Sequence, residues 1–313
     1  MIEIKSFDDL EISGISYGGH GGNKKGIIID NENWFLKYPQ NTKSMNDVNI
    51  SYSTTPLSEY LGSHIYEMLD IDTHKTMLGI ANDKVVVVCK DFLKPNEMIL
   101  DYNTIKNDYD ETLEKELDKI PSSTSSIDSN NNLEEILIIM NSNSYFKKNS
   151  ELKKRFWIQF VVDAFISNND RNEGNWGLVL NRDTKETRLA PVYDNGASFY
   201  NKADDNKLYD VCNDDFKFKQ SVYDSSISIY RLNGKRINPL KYIESMQNSD
   251  CNQAICEIVP KIDMNRIKEL FKSIPTQYKG YKIISDIQKE MYYKSLEYKY
   301  QNVLLPVYNN LKR

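Results

Sequence analysis

Apolar and polar positions follow one another along this chain in two rhythms. Up to residue 92 the apolar positions gather in short runs: Ile27 to Ile29, Trp34 to Tyr38, Thr76 to Ile80 and Lys84 to Cys89. Turn-forming segments, Asp30 to Asn33 and Ala81 to Asp83, separate them and predict two β-hairpins. Between the hairpins Leu57, Tyr60, Leu61, Ile65, Met68 and Leu69 recur at helical intervals. That spacing predicts an amphipathic helix from Pro56 to Leu69, with Thr55 as N-cap and Pro56 in the first helical position. After residue 92 the helical rhythm dominates, in Leu133 to Met140, Leu152 to Ile166, Pro239 to Met246, Ala254 to Val259, Ile262 to Ile274 and a long run from Tyr281 to Leu311. A third hairpin interrupts it, with Leu178 to Leu180 and Leu189 to Val192 flanking Asn181-Arg182-Asp183. Residues 107–132 hold a short charged helix, ETLEKELDKI, and then PSSTSSIDSNNN, whose serines and asparagines bury no core; the stretch reads as a mobile insertion.

The chemistry concentrates where the helical and hairpin rhythms meet. Phe156, Trp157, Phe160, Val161, Ala164 and Phe165 form a stripe that stops at Asn168-Asn169, so Asp170 falls on the loop closing a buried helix. Asn175 follows five residues later, and the hairpin beyond it folds back to carry Asp194 toward the same mouth. Magnesium is a hard cation that takes oxygen ligands, so the Asp194 carboxylate and the Asn175 amide oxygen, with phosphate oxygens, suffice to hold it. Asp170, left off the metal, is placed to accept the proton of an incoming hydroxyl. Protein kinases use the same spacing between a base aspartate and a metal-binding asparagine, and bring a second metal-binding aspartate from a later strand end. The competing reading makes all three residues turn and cap formers.

A glycine-dense segment, SGISYGGHGGNKKGIIID, lies near the N-terminus and leads straight into a strand. Its glycines Gly14, Gly18, Gly19, Gly21, Gly22 and Gly26 let backbone N–H groups approach phosphates, although the pattern is not that of a Walker loop and a plain hairpin tip is the alternative. Lys37 stands in the returning strand, where an ammonium would hang beneath the loop and hold nucleotide phosphates. Glu59 has two readings: a first-turn carboxylate favoured by the helix dipole, or the partner of Lys37. Lys90-Asp91-Phe92 follows the second hairpin as a hinge whose backbone groups can hydrogen-bond adenine.

These parts come in the order of a two-lobed kinase. The segments FVVDAFISNNDRNEGNWG and LAPVYDNGAS, supported by the glycine loop, FLKYP and VVVVCKDF, resemble the HipA-like serine/threonine kinases, and most closely their short CtkA type. The resemblance implies an α+β protein-kinase-like fold with a β-rich N-lobe over residues 1–92 and a helical C-lobe over 93–313, the nucleotide lying between them. It implies ATP-dependent phosphorylation of a protein serine or threonine, with Asp170 and Asn175 catalytic, Asn175 and Asp194 as magnesium ligands, and Lys37 as the ATP lysine. Gly18, Gly19, Gly21, Gly22, Lys90, Asp91, Phe92 and Asn172 then line the nucleotide, and Asn195 to Asp224 corresponds to an activation segment. Phosphoserine in the glycine loop switches off HipA-like kinases, which makes Ser16, and next Ser13, the expected autophosphorylation sites. Asn172 departs from the family, which commonly has histidine there; an amide replaces the hydrogen bond but not the positive charge. HipA toxins also carry an extra N-terminal subdomain, so a small partner or antitoxin protein is the expected source of any such surface.

Composition narrows the alternatives. Forty basic against 45 acidic residues give a net charge of -5 with no basic patch, which disfavours a nucleic-acid substrate. No apolar run approaches the roughly 18 residues of a membrane span, and MIEIKSFDDLEISG lacks a secretory core, so a cytoplasmic protein is expected, with signal-free export to a host as the variant. Cys89, Cys212, Cys251 and Cys256 with His20, His64 and His74 show no zinc spacing and read as reduced thiols and dispersed histidines. Within the loop, His20 is the histidine to watch. A small-molecule or lipid phosphotransferase, and a nucleotide-binding pseudokinase acting by protein association, are the other readings of the same machinery.

Overall fold

The computed structural model of the chain describes residues 2–15, 17, 24–107 and 131–313. The first two hairpins join in one five-stranded sheet. Strands β1 (Lys5–Ser6), β2 (Lys24–Ile29), β3 (Glu32–Lys37), β4 (Thr76–Ala81) and β5 (Lys84–Lys90) lie in the order β1-β4-β5-β3-β2, with β1 parallel to β4 and the other pairs antiparallel. The turns are tighter than the polar segments suggest. Asp30 and Asn31, with φ of 50° and 60°, make the whole β2–β3 connection, and Asn82 and Asp83 do the same between β4 and β5. Asn and Asp tolerate the left-handed conformation that two-residue hairpins demand, so Glu32 and Asn33 are released into β3.

Alternation along β3 sorts its side chains onto two faces. Trp34 and Leu36 pack with Phe7, Ile27, Val86 and Val88 in a small cluster, whereas Phe35 and Lys37 share the other face, on which Lys37 meets helix α1 (Thr55–Met68). The cap of α1 is Thr54 rather than Thr55, its hydroxyl donating to Asn201 O, and Pro56 stands within the first turn. Glu59 therefore lies beyond that turn, which contains no acidic residue, so the helix-dipole reading of Glu59 does not apply.

A second, antiparallel sheet consists of β6 (Glu97–Asp101), β7 (Gly177–Asn181) and β8 (Thr187–Leu189). The run expected to continue to Val192 stops at Leu189, and Val192 instead bridges to Thr73 in parallel. Gly177 is required by close approach: a Cβ there would sit 2.2 Å from Leu100 O. Short helices α2 (Tyr102–Lys106), α3 (Leu133–Ser142) and α4 (Ser144–Lys148) lead to α5 (Ser150–Ile166), whose residues are all buried from Phe156 onward. This helix is central rather than amphipathic, with other elements packed around it.

The polar segment from Asn195 to Asp224 is not an open connection. It contains α6 (Asp205–Cys212) and α7 (Asp215–Asp224), each started by an aspartate, Asp204 or Asp214, whose carboxylate accepts first-turn N–H groups. The remaining α-helices are α8 (Pro239–Glu244), α9 (Ser249–Ile258), α10 (Met264–Ser273), α11 (Asp286–Lys299) and α12 (Leu305–Leu311), the last two joined by a π-helical turn at Tyr300–Leu304. Tyr281 and Lys282 belong to a small hairpin, not to α11, which starts at Asp286 behind the N-cap Ser285, with Gln288 completing a reciprocal capping box. Tyr292 is core, stacked on Phe199 at 5.1 Å, and Tyr293, Tyr298 and Tyr300 pack partly buried against that core. The large apolar cluster runs without a break from α1 through α5 to Val307. No helix among the described residues is long and apolar enough to cross a membrane. The expected insertion at 107–132 lies almost wholly outside the described residues.

One ionisable group in this core lacks a counter-charge. Lys299, at the end of α11, is 1 % exposed and donates to Phe165 O at 3.0 Å and to the Ser167 hydroxyl, capping the C-terminus of α5. No carboxylate pairs with it among the described residues, and burial pushes its amine down to about 7. In the unfolded chain the amine keeps the ordinary lysine value. The unfolded state then binds more protons above pH 7, so the stability of wild type relative to Lys299→Met rises with pH. Denaturant unfolding should show that difference growing by about 2 kcal/mol between pH 7 and 9; a flat difference contradicts it.

Candidate active site

The loop after α5 is built by its own backbone. Ser167 ends the helix in the left-handed conformation, φ 57°, and the N–H groups of Ser167 and Asn168 both return to Asp163 O. Asn168 Oδ1 accepts from Asp170 N at 3.3 Å, Asn172 Oδ1 from Gly174 N at 3.0 Å, and Asn175 Nδ2 donates to Asp170 O at 3.0 Å. With its nitrogen committed inside the loop, Asn175 has its oxygen left for another partner. A brace on the far side comes from α2, where Lys106 meets Glu173 at 2.5 Å and Tyr102 stacks on Trp176 at 4.5 Å.

Arg171, which the sequence reading did not single out, fastens this loop to its surroundings. Its Nε and Nη2 donate to the Asp163 carboxylate at 2.8 and 3.0 Å, and Nη2 also donates to Asn195 Oδ1 at 2.6 Å. Nη1 donates to the carbonyls of Tyr193, Asn175 and Asp194. The side chain is 2 % exposed, and Asp163 also accepts from Tyr66 of α1 at 2.7 Å. One guanidinium thus joins α5, the loop of Asp170 and Asn175, and the backbone on both sides of Asp194.

Asp194 itself has φ 61°, a conformation an aspartate adopts at modest cost when its surroundings fix it. Lys37 Nζ lies 2.8 Å from Asp194 Oδ1 and 2.7 Å from Glu59 Oε2. Burial works against the ammonium, yet the charges of Asp194 and Glu59 outweigh it and hold Lys37 above the ordinary lysine range. The same competition runs the other way for the carboxylates: burial pushes Glu59 up, but Lys37 and the His74 hydrogen bond keep it well below the usual range. Asp194 is likewise lowered, since Lys37 overcomes burial and the repulsion from Glu59. Asp170 moves upward, through burial and the neighbouring Asp194 charge, and so becomes a better proton acceptor. Lys24, opposite Lys37 in the β2–β3 register, is lowered by burial and by Lys37, which places a second cation beside the first.

The remaining expected residues divide. Gly18, Gly19, Gly21, Gly22, Ser16 and His20 lie outside the described residues. Ser13 is 7 % exposed and sits over Gly26, where an added Cβ would lie 2.3 Å from its hydroxyl. In the hinge, Lys90 N donates to Lys75 O and Asp91 N to Asn33 O, while the Lys90 ammonium turns to Glu32 at 2.6 Å. Those two N–H groups are consumed by the sheet and are not free for a base. Phe92 packs against Tyr193 at 5.6 Å and its carbonyl accepts from Arg188. Tyr17, also not singled out, donates to Asp91 Oδ2 at 2.8 Å and lies 4.7 Å from the Phe35 ring.

Glu59, His74 and Cys89 present ligand atoms within 4.8 Å of one another. The Lys37 ammonium already supplies the positive charge at this carboxylate, and burial pushes the Cys89 thiol up, so it stays in the protonated form that does not bind metal. The described cysteines are all free.

No family model matches the chain. The serine/threonine-protein kinase CtkA of Helicobacter pylori (strain J99) is 31 % identical over 282 residues, which are 90 % of this chain and 80 % of that protein. Its likeness extends to structure: the crystal structure of the H. pylori proinflammatory kinase CtkA covers 99 % of both chains with a TM-score of 0.85 at 27 % identity. HipA of Shewanella oneidensis, solved with HipB and operator DNA, aligns over 88 % of this chain and 60 % of its own at a TM-score of 0.47 and 8 % identity. The chain belongs to the HipA-like kinases of the CtkA type.

Proposed function

We propose that the protein is an ATP- and magnesium-dependent serine/threonine protein kinase with two lobes, residues 1–92 and 93–313, and the nucleotide between them. The observation that carries this reading is the single ammonium of Lys37 held between Glu59 and Asp194, on the same buried network as the loop of Asp170. The donor set suits magnesium: Asn175 retains its amide oxygen, and Asp194, with 40 % of its side chain accessible, retains Oδ2. Magnesium held by these two would neutralise charge on the phosphate oxygens. Lys37 and Lys24 present cations to the phosphates from β3 and β2. Asp170 accepts the proton of a serine or threonine hydroxyl as its oxygen bonds to the γ-phosphorus and the bond to the ADP oxygen breaks. Asn172 orients the Asp170 carboxylate by a hydrogen bond and adds no charge. At the hinge, the Phe92 N–H is the donor left for adenine, because those of Lys90 and Asp91 are engaged.

Ser16 is the acceptor we propose for autophosphorylation. Ser13 ranks behind it, since its hydroxyl is covered by the strand it packs on. A phosphate in the loop adds about -1.5 to -2 charges and would repel those of ATP.

Protein incubated with γ-labelled ATP, magnesium and a cell lysate should transfer label to protein bands, and mass spectrometry should find phosphate on Ser16. Asp170→Asn should slow transfer by ~10²- to 10⁴-fold with ATP binding nearly unchanged. Asp194→Ala should instead weaken magnesium-dependent ATP binding, measured by calorimetry. Label confined to small molecules, or an active Asp170→Asn protein, contradicts the reading.

A further inference from the structure

Glu59 does not reach Lys37 unaided. Its Oε2 accepts from Lys37 at 2.7 Å, while Oε1 accepts from His74 Nε2 at 2.8 Å and from Asn195 N at 2.9 Å. An ionised carboxylate only accepts, so Nε2 carries the hydrogen in this bond. His74 is 2 % exposed and its own backbone is fixed: His74 N and Thr73 Oγ1 both donate to Val192 O, and Val192 N donates to Asp72 O. The imidazole therefore stands on a segment clamped two residues before Asp194 and points back to the carboxylate that pairs with Lys37. Its other nitrogen, Nδ1, is buried without a hydrogen-bond partner. A histidine serving only as core filler has no need of an ionised acceptor at one nitrogen while the other goes unsatisfied.

We propose that His74 is a positioning residue for phosphoryl transfer: its Nε2–H fixes the rotation of the Glu59 carboxylate so that Oε2 faces Lys37. Without that donor Oε1 keeps only the Asn195 N–H, the carboxylate is held less firmly, and the balance at Lys37 shifts toward the Asp194 oxygen, which draws the ammonium toward the magnesium position and away from the phosphates. The inference rests on the kinase reading above and adds to it a residue that acts through Glu59 and touches neither nucleotide nor metal.

The test compares His74→Leu, His74→Gln and His74→Asn with wild type, by kcat and KM for ATP and by thermal unfolding. Glutamine can place an N–H near the Nε2 position; asparagine is too short and leucine has no donor. Loss of one hydrogen bond to a charged group corresponds to about a tenfold to hundredfold effect. His74→Leu and His74→Asn should lose that much in kcat/KM, His74→Gln should recover most of it, and His74→Leu should add little in a Glu59→Ala background. A folded His74→Leu protein within twofold of wild type overturns the inference. If His74→Leu does not fold, the comparison of Gln with Asn decides: unequal kcat/KM in favour of Gln supports it, and equal values overturn it. Wild-type transfer abolished by Asp170→Asn establishes the kinase reading separately, whereas wild type that transfers no phosphate overturns both.

Discussion

The site is organised around a guanidinium buried beside one carboxylate. Removing an arginine and an aspartate from water costs several kcal/mol for each ion, and the Arg171–Asp163 pair offsets this only because nearly every donor finds an acceptor. Two N–H groups lie in fork geometry on Asp163, and the others reach Asn195 Oδ1 and the carbonyls of Asn175, Tyr193 and Asp194. A lysine has neither the planar fork nor enough donors for this set. The acceptors come from three segments that would otherwise be independent: the central helix, the loop that follows it, and the irregular segment after β8 that carries Asp194.

From that junction the network continues without a gap to the five-stranded sheet. Asn195 accepts from Arg171 with its side-chain oxygen, gives its amide nitrogen to Ser63 and its backbone N–H to Glu59, and Glu59 holds Lys37. Gly62 of α1 makes this approach possible, since a Cβ there would lie 2.8 Å from Asn195 Cβ. Positive φ at Ser167, Asp194 and the bulky Phe199 marks the same region as one where tertiary contacts override local backbone preference.

What the sequence discloses about this arrangement follows the range of each interaction. Asp170, Asn172 and Asn175 share one loop, so their spacing is readable as it stands, and the α+β class shows in the change of apolar rhythm after residue 92. Lys37 finds its partners 22 and 157 residues away, a distance no periodicity spans; the pairing with Glu59 was one of two readings, and the contact to Asp194 was not foreseen. Asp163 left a signal, a charge inside the apolar run FVVDAF, that should have demanded a buried cation. His74 left none, because nothing local separates it from His64, whereas His20 is marked out by its glycines. The segment from Asn195 to Asp224 reads as an activation segment because of its polarity; its helices show few apolar residues, although Asp204 and Asp214 announce their starts.

If one ion pair fixes both the Asp170 loop and the Asp194 segment, its two members cannot act independently on nucleotide binding. The most direct measurement is a double-mutant cycle on magnesium-ATP affinity, by calorimetry, for Asp163→Leu, Arg171→Met and the combined variant, at a temperature where all three remain folded. Either single change should weaken binding, and the double variant should bind no worse than the weaker of the two. Single variants that bind like wild type, or losses that simply add, would contradict the account.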